Sequence, residues 1–195
     1  MKKHLIWLAW AFFLVLIPAI PIASFNLNYQ APSAQLLAYD LGIVAFVLWV
    51  EIAWIKQKPQ WVEKTIGVDT LYKVITFLGV IALLGAGLHQ LIAESASTLI
   101  KTTGIIAWIL ALVIAIYGLI ALATKIPSRK LKINRYLRNI INSFAILVIV
   151  LIWIHVNVIP AIASIQPFMI TFNIYAISAF NCYIYGWIKK RQHRK

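Results

Sequence analysis

Six apolar runs, each about 20 residues or slightly longer and separated by short polar or basic links, constrain this chain more than any other feature. They fall at roughly 5–24, 36–55, 69–92, 103–124, 139–162 and 168–188. A helix rises about 1.5 Å per residue, so ~20 apolar residues cross a ~30 Å hydrocarbon core. In lipid the backbone must satisfy its own hydrogen bonds, and a run of this length does so as a helix. The expected fold is therefore all-α. It is a polytopic membrane protein whose single domain, residues 1–195, is a six-helix transmembrane bundle. Short links make sequence neighbours antiparallel neighbours in space. The first run follows Met1, Lys2 and Lys3. It exceeds the roughly 7–15 apolar residues of a signal peptide and no clear small-x-small cleavage site follows, so it reads as the first membrane helix. Pro18 and Pro21 are expected to kink it near its end.

Composition removes the competing classes. Of 195 residues 63% are hydrophobic and 12% charged, where a soluble domain has about a quarter charged. No second, soluble domain fits. The net charge of +13 does not point to nucleic acid, because the basic residues sit between the apolar runs. With the N-terminus in the cytoplasm, every Lys and Arg except Lys101 falls on the inner side, including the cluster Lys125, Arg129, Lys130, Lys132, Arg135 and Arg138. The positive-inside rule then sets both termini in the cytoplasm of a multi-pass protein of the cell membrane. Anionic headgroups of the lipid bilayer are partner enough for the basic loop 125–138. Trp54, Trp61 and Trp187 fall near the inner boundary, as an aromatic belt does. Cys182 is the only cysteine, which excludes an intrachain disulfide and a cysteine metal site.

Two of the four histidines, His89 and His155, lie inside apolar runs; His4 and His193 lie in the basic tails. An ionisable residue within a membrane run marks a functional site by default. In the expected topology the third and fifth helices run the same way, and both histidines come late in them. Their depths match within a few ångström, so the rings can face each other across the bundle core. Neutral imidazole is a common haem ligand, and facing helices of a bundle are a usual place for one. Two axial histidines leave no open position on iron, which favours electron transfer over oxygen binding. Gly79, Gly85, Ala86 and Gly87 beside His89 open space for a flat ring or for a neighbouring helix. A histidine on each helix making only an interhelical hydrogen bond remains the alternative. A non-haem metal is disfavoured, since no carboxylate or cysteine lies at the same depth. Glu51, the one acid inside an apolar run, reads as an interfacial side chain reaching out to water, with a proton relay as the less favoured alternative.

The run Lys58-Pro59-Gln60-Trp61-Val62-Glu63-Lys64-Thr65-Ile66-Gly67-Val68-Asp69-Thr70-Leu71-Tyr72 resembles the loop and third-helix start of the ferric reductase-like transmembrane domain family. That family includes the membrane part of NADPH oxidases and the haem subunit of methionine sulfoxide reductase systems. The likeness continues through Leu78 and Gly79 to His89, and resumes at Thr103-Gly104, Tyr136 and His155. It covers roughly 36–162. The resemblance implies a six-helix cytochrome b that moves electrons across the membrane. Family members carry two histidines on each of the third and fifth helices, about 14 residues or ~21 Å apart, holding two stacked haems. Here the corresponding inner positions are Ile75 and the window Ile140, Ile141 and Asn142. His89 and His155 match the outer pair alone. No flavin- or nicotinamide-binding domain and no Gly-rich phosphate loop is recognisable.

The expected function is that of an integral-membrane b-type cytochrome with one haem b, ligated by His89 and His155. As the membrane component of a ferric reductase-like oxidoreductase, it would connect a membrane quinol, a flavoprotein or another subunit with an acceptor at the outer surface. A haem-free scaffold or accessory subunit that keeps the fold is the second expectation. A small transporter is the third, weakened by the lack of intramembrane charge beyond Glu51.

Overall fold

The computed structural model describes residues 2–56, 67–93, 97–123 and 135–192. Within them all regular structure is helical, in seven helices with no strand. These are α1 Lys2–Asn26, α2 Ser33–Ile55, α3 Val68–Ile92, α4 Thr98–Ala123, α5 Arg135–Asn157, the short α6 Pro160–Ala163 and α7 Gln166–Gln192. Four spans are long and apolar enough to cross a bilayer: Ser33–Ile55, Asp69–Ile92, Thr98–Ile120 and Gln166–Gly186. They make this a membrane protein. In α1 and α5 the apolar stretches among the described residues are shorter, Phe13–Asn26 and Ser143–Asn157. Trp61, Glu63, most of the basic loop, and His193 lie outside the described residues.

Helix boundaries follow local chemistry. Pro32 caps α2 with an extended backbone. Gly67 precedes α3 at φ 75° and ψ 157°, a region that only glycine occupies without strain. The expected fifth run, 139–162, is interrupted. A residue before proline is pushed out of the helical region, and Ile159, ahead of Pro160, sits at φ −92° and ψ 103°. The chain therefore leaves α5 at Asn157 and makes one further turn before α7. The first helix runs continuously through Pro18 and Pro21.

The centre of the bundle is α2. It packs against α1, α3, α5 and α7, while α4 bridges α3 and α5 on the far side. Every residue of α2 from Ala45 to Ala53 is buried. Two apolar layers meet on it. One is built on Phe46, Val50, Phe168 and Phe172, the other on Leu48, Ile52, Leu71 and Leu78. The central position of α2 corrects the sequence expectation for Glu51. That side chain is 0% exposed, because α2 has no face left toward water or lipid at that level. Trp54 likewise packs inward, against Phe13 and Tyr175 at 5.8 and 6.1 Å.

The glycines of α3 serve helix contact. A Cβ on Gly85 would stand 3.4 Å from the Leu41 carbonyl oxygen of α2, and one on Gly79 3.8 Å from Ile52 Cδ1. Small residues let backbones approach where lipid supplies no hydrophobic drive for association. The α1–α2 turn is fastened by Asn26, whose Nδ2 donates to both carboxylate oxygens of Asp40 at 3.1 Å.

Candidate functional site

His89 lies in the last turn of α3 and His155 in the last turn of α5. Both helices end at the same end of the bundle, where α1 turns into α2. Their rings face each other with centroids 6.3 Å apart and planes at 81°. The two rings, expected from the sequence to face each other across the bundle, do so.

Each imidazole is held by the helix beside it. The Nδ1 of His89 lies 2.7 Å from the Ala38 carbonyl oxygen of α2. The Nδ1 of His155 lies 2.9 Å from the Ile100 carbonyl oxygen of α4. A carbonyl only accepts, so both Nδ1 atoms carry the proton, and in the neutral ring the lone pair is left on Nε2. Neither Nε2 has a hydrogen-bond partner among the described residues. Thr103 adds a second contact to His155, its Oγ1 at 3.2 Å from Nδ1. The Thr103 hydroxyl itself donates back to Leu99 or Ile100, at 2.9 and 3.0 Å.

Both rings rest on a glycine, and the geometry repeats. A Cβ on Gly42 would stand 3.1 Å from His89 Nδ1; one on Gly104 would stand 3.2 Å from His155 Cε1. In each case the accepting carbonyl belongs to the residue four before the glycine, Ala38 for Gly42 and Ile100 for Gly104. The cause is helix geometry. A helical side chain covers the turn on the N-terminal side of its own Cα. Glycine uncovers that turn, and the second lone pair of the carbonyl four residues earlier becomes reachable. Trp108 uses the same device on a third helix pair. Its Nε1 lies 3.3 Å from a Cβ built on Gly87 and donates to the Leu83 carbonyl at 3.2 Å. Gln90 closes the group, donating from Nε2 to the Gly104 carbonyl at 2.9 Å.

These seats surround a cavity of about 110 Å³ that is partly open to the outside. His89, His155 and Gln90 stand on its wall, together with Tyr39, Trp49 and Trp108, whose rings also carry a polar atom. Most of the rest is apolar, with Phe46, Phe168 and Phe172 along the side formed by α2 and α7. Phe46 and Phe172 meet at a tilt with centroids 4.5 Å apart, and Phe25 meets Phe168 edge-on at 5.1 Å.

The donor set fits a haem iron. A metal–imidazole nitrogen bond is about 2.0–2.1 Å, so two Nε2 atoms on opposite sides of one ion stand about 4 Å apart. Adding the distance from nitrogen to ring centre on each side brings the centroids to the order of the spacing seen here. Nδ1–H donation to a backbone carbonyl is also the usual support of a metal-bound histidine. Among the described residues no group of three or more His, Cys, Asp or Glu could hold a bare metal ion. Of the residues picked out in the sequence, His89 and His155 come together, whereas Gly79 and Gly85 belong to helix packing. Gly42, Thr103, Gln90 and Trp108 were not read as site residues. Their one sequence signal is a glycine on the helix preceding each histidine helix, and glycine is common in membrane helices. Comparison with protein-family models, curated proteins and solved structures returns no match.

Proposed function

We propose that this chain is an integral-membrane b-type cytochrome of the ferric reductase-like kind, binding one haem b between His89 and His155. The observation that supports it is the pair of facing imidazoles on the wall of an apolar cavity, each backed by an Nδ1–H bond to a carbonyl and with no partner at Nε2 among the described residues. His89 and His155 would hold the haem, which would supply a reversible one-electron carrier. The chain's own residues do the rest. Ala38 and Ile100 fix the tautomer of the two rings, and Gly42 and Gly104 fix their place. The phenylalanines along the cavity wall keep it apolar and exclude water from it. In this reading α1 and α5 also cross the bilayer, giving six spans with both termini cytoplasmic and the histidine pair in the outer half. The electron donor is a quinol of the membrane or a partner subunit, and the acceptor is at the outer surface.

A pyridine haemochrome assay against quantified protein tests the reading. One haem per chain is expected. Ile75, which packs into the apolar layer between α2 and α3, and the buried Ile141 offer no lone pair at the inner positions. A ratio near two would sink the single-haem reading. A ratio of zero, with haem supplied during expression, would favour the second reading, a scaffold of the same fold. That reading draws on the same bonds, since a carbonyl already satisfies one nitrogen of each ring.

Orientation has its own test. In a Cys182→Ser background, a single cysteine at Ser97, which is exposed in the short α3–α4 link, should label from outside the cell. One at Ser128 in the basic loop should label only after permeabilisation. The reverse pattern would invert the topology.

A further inference from the structure

One acid in the bundle interior is not used by the histidine pair. Glu51 is 0% exposed, and neither of its carboxylate oxygens has a hydrogen-bond partner. The elements packed on α2 are α1, α3, α5 and α7. From α7, Tyr175 stands within electrostatic reach, but its hydroxyl donates to the Ile17 carbonyl at 2.8 Å. Tyr183 and Cys182 follow two turns later on the same helix. On α3 the titratable side chains at this end, Asp69, Tyr72 and Lys73, are exposed. The described side chains of α1 include no titratable group, and those of α5 only His155. None of these groups places a cation against the Glu51 carboxylate, whose oxygens have no hydrogen-bond partner.

An isolated carboxylate in apolar surroundings is far too costly to persist, and such a group keeps its proton instead. A positive charge placed in the same bundle changes that balance. A ferric haem with two neutral axial imidazoles carries one net positive charge on its core, and the ferrous form carries none. Glu51 lies nine residues from Gly42, the seat of His89, or about 13.5 Å along α2. At that range in a medium of low dielectric, a unit charge still acts on a titrating group. The helix ends at Ile55 and Lys56 is exposed, so water lies within about two turns of Glu51.

We propose that Glu51 is a proton-binding site coupled to the electron carried at the histidine pair. This rests on the haem reading above. As a one-electron donor reduces the centre, the Glu51 carboxylate takes one proton from the nearby aqueous phase and forms an O–H bond. As the electron leaves, that bond breaks and the proton returns. The buried net charge is the same before and after, which is the physical gain.

The test is a mediated redox titration of the haem-loaded protein between about pH 5 and pH 9, the span in which buried carboxyls titrate. The midpoint potential should fall as pH rises, by at most about 59 mV per unit for one proton and one electron. Glu51→Gln, which keeps the shape and removes the charge, should flatten the dependence. Asp40→Asn, at the solvent-facing Asn26 contact, should keep it. A slope retained in Glu51→Gln, or lost in Asp40→Asn, overturns the proposal. A second readout needs no haem. The infrared difference between haem-free wild type and Glu51→Gln at neutral pH should contain the carbonyl band of a protonated acid, and its absence overturns the assignment. A protein that shows the band but takes no haem keeps the proton on Glu51 and overturns the coupling along with the cytochrome reading.

Discussion

Replacing His89 or His155 with alanine is expected to abolish the low-spin b-type spectrum of the purified protein, while the chain still inserts at wild-type levels. One imidazole cannot fill both axial positions, and no third histidine, cysteine or methionine among the described residues lines the cavity to replace it. Insertion depends on the length and apolarity of the helices, and neither substitution shortens an apolar run. The loss should be close to complete for each single variant, with no further loss in the double variant, since the two rings act as a unit. Reduced-minus-oxidised absorbance, normalised to protein in the membrane fraction, is the measurement. A low-spin b-type spectrum in either single variant would remove that residue from the ligand pair.

The second large effect belongs to two residues that touch no ligand. Gly42→Val and Gly104→Val should each lower haem occupancy severely, and the alanine variants should do so in part. A Cβ at either position meets an imidazole at 3.1–3.2 Å, closer than carbon and ring atoms sit in comfort. The ring must tilt, and the Nδ1 bond to the Ala38 or Ile100 carbonyl lengthens with it. Overpacking of this kind costs about 1–3 kcal/mol, and a lost bond to a buried donor about 1–3 kcal/mol more. Gly79→Ala is the matched control. Its Cβ would find Ile52 Cδ1 at 3.8 Å, an ordinary contact, and alanine is the better helix former. Haem content and thermal stability of the three positions, measured side by side, separate the seats from ordinary helix glycines. Equal behaviour at Gly42, Gly104 and Gly79 would show that the seats do not matter.

The same residues divide what is written in the chain from what the fold adds. The helices were legible because hydrocarbon leaves a backbone one local solution, and about 20 apolar residues state it without help from tertiary contacts. The depth of His89 and His155 was legible for the same reason, since rise per residue converts sequence position into height. Rotation about a helix axis is a different matter. Apolar residues surround most of these helices on every side, so periodicity marks no inner face. Which helix stands at the centre is therefore open in the sequence, and Glu51, expected to reach for water, is instead enclosed by the helices packed around α2. The break at Ile159 follows from Pro160, although the apolar run itself continues across it. The glycine seats were out of reach, because each one joins residues about 50 positions apart, Gly42 with His89 and Gly104 with His155. Sequence alone determined the helices and the height of the two histidines along them. Only packing decided which carbonyls take the Nδ1 protons, and so which nitrogen of each ring is left for a ligand, because that choice depends on a neighbouring helix laying bare one turn of its backbone.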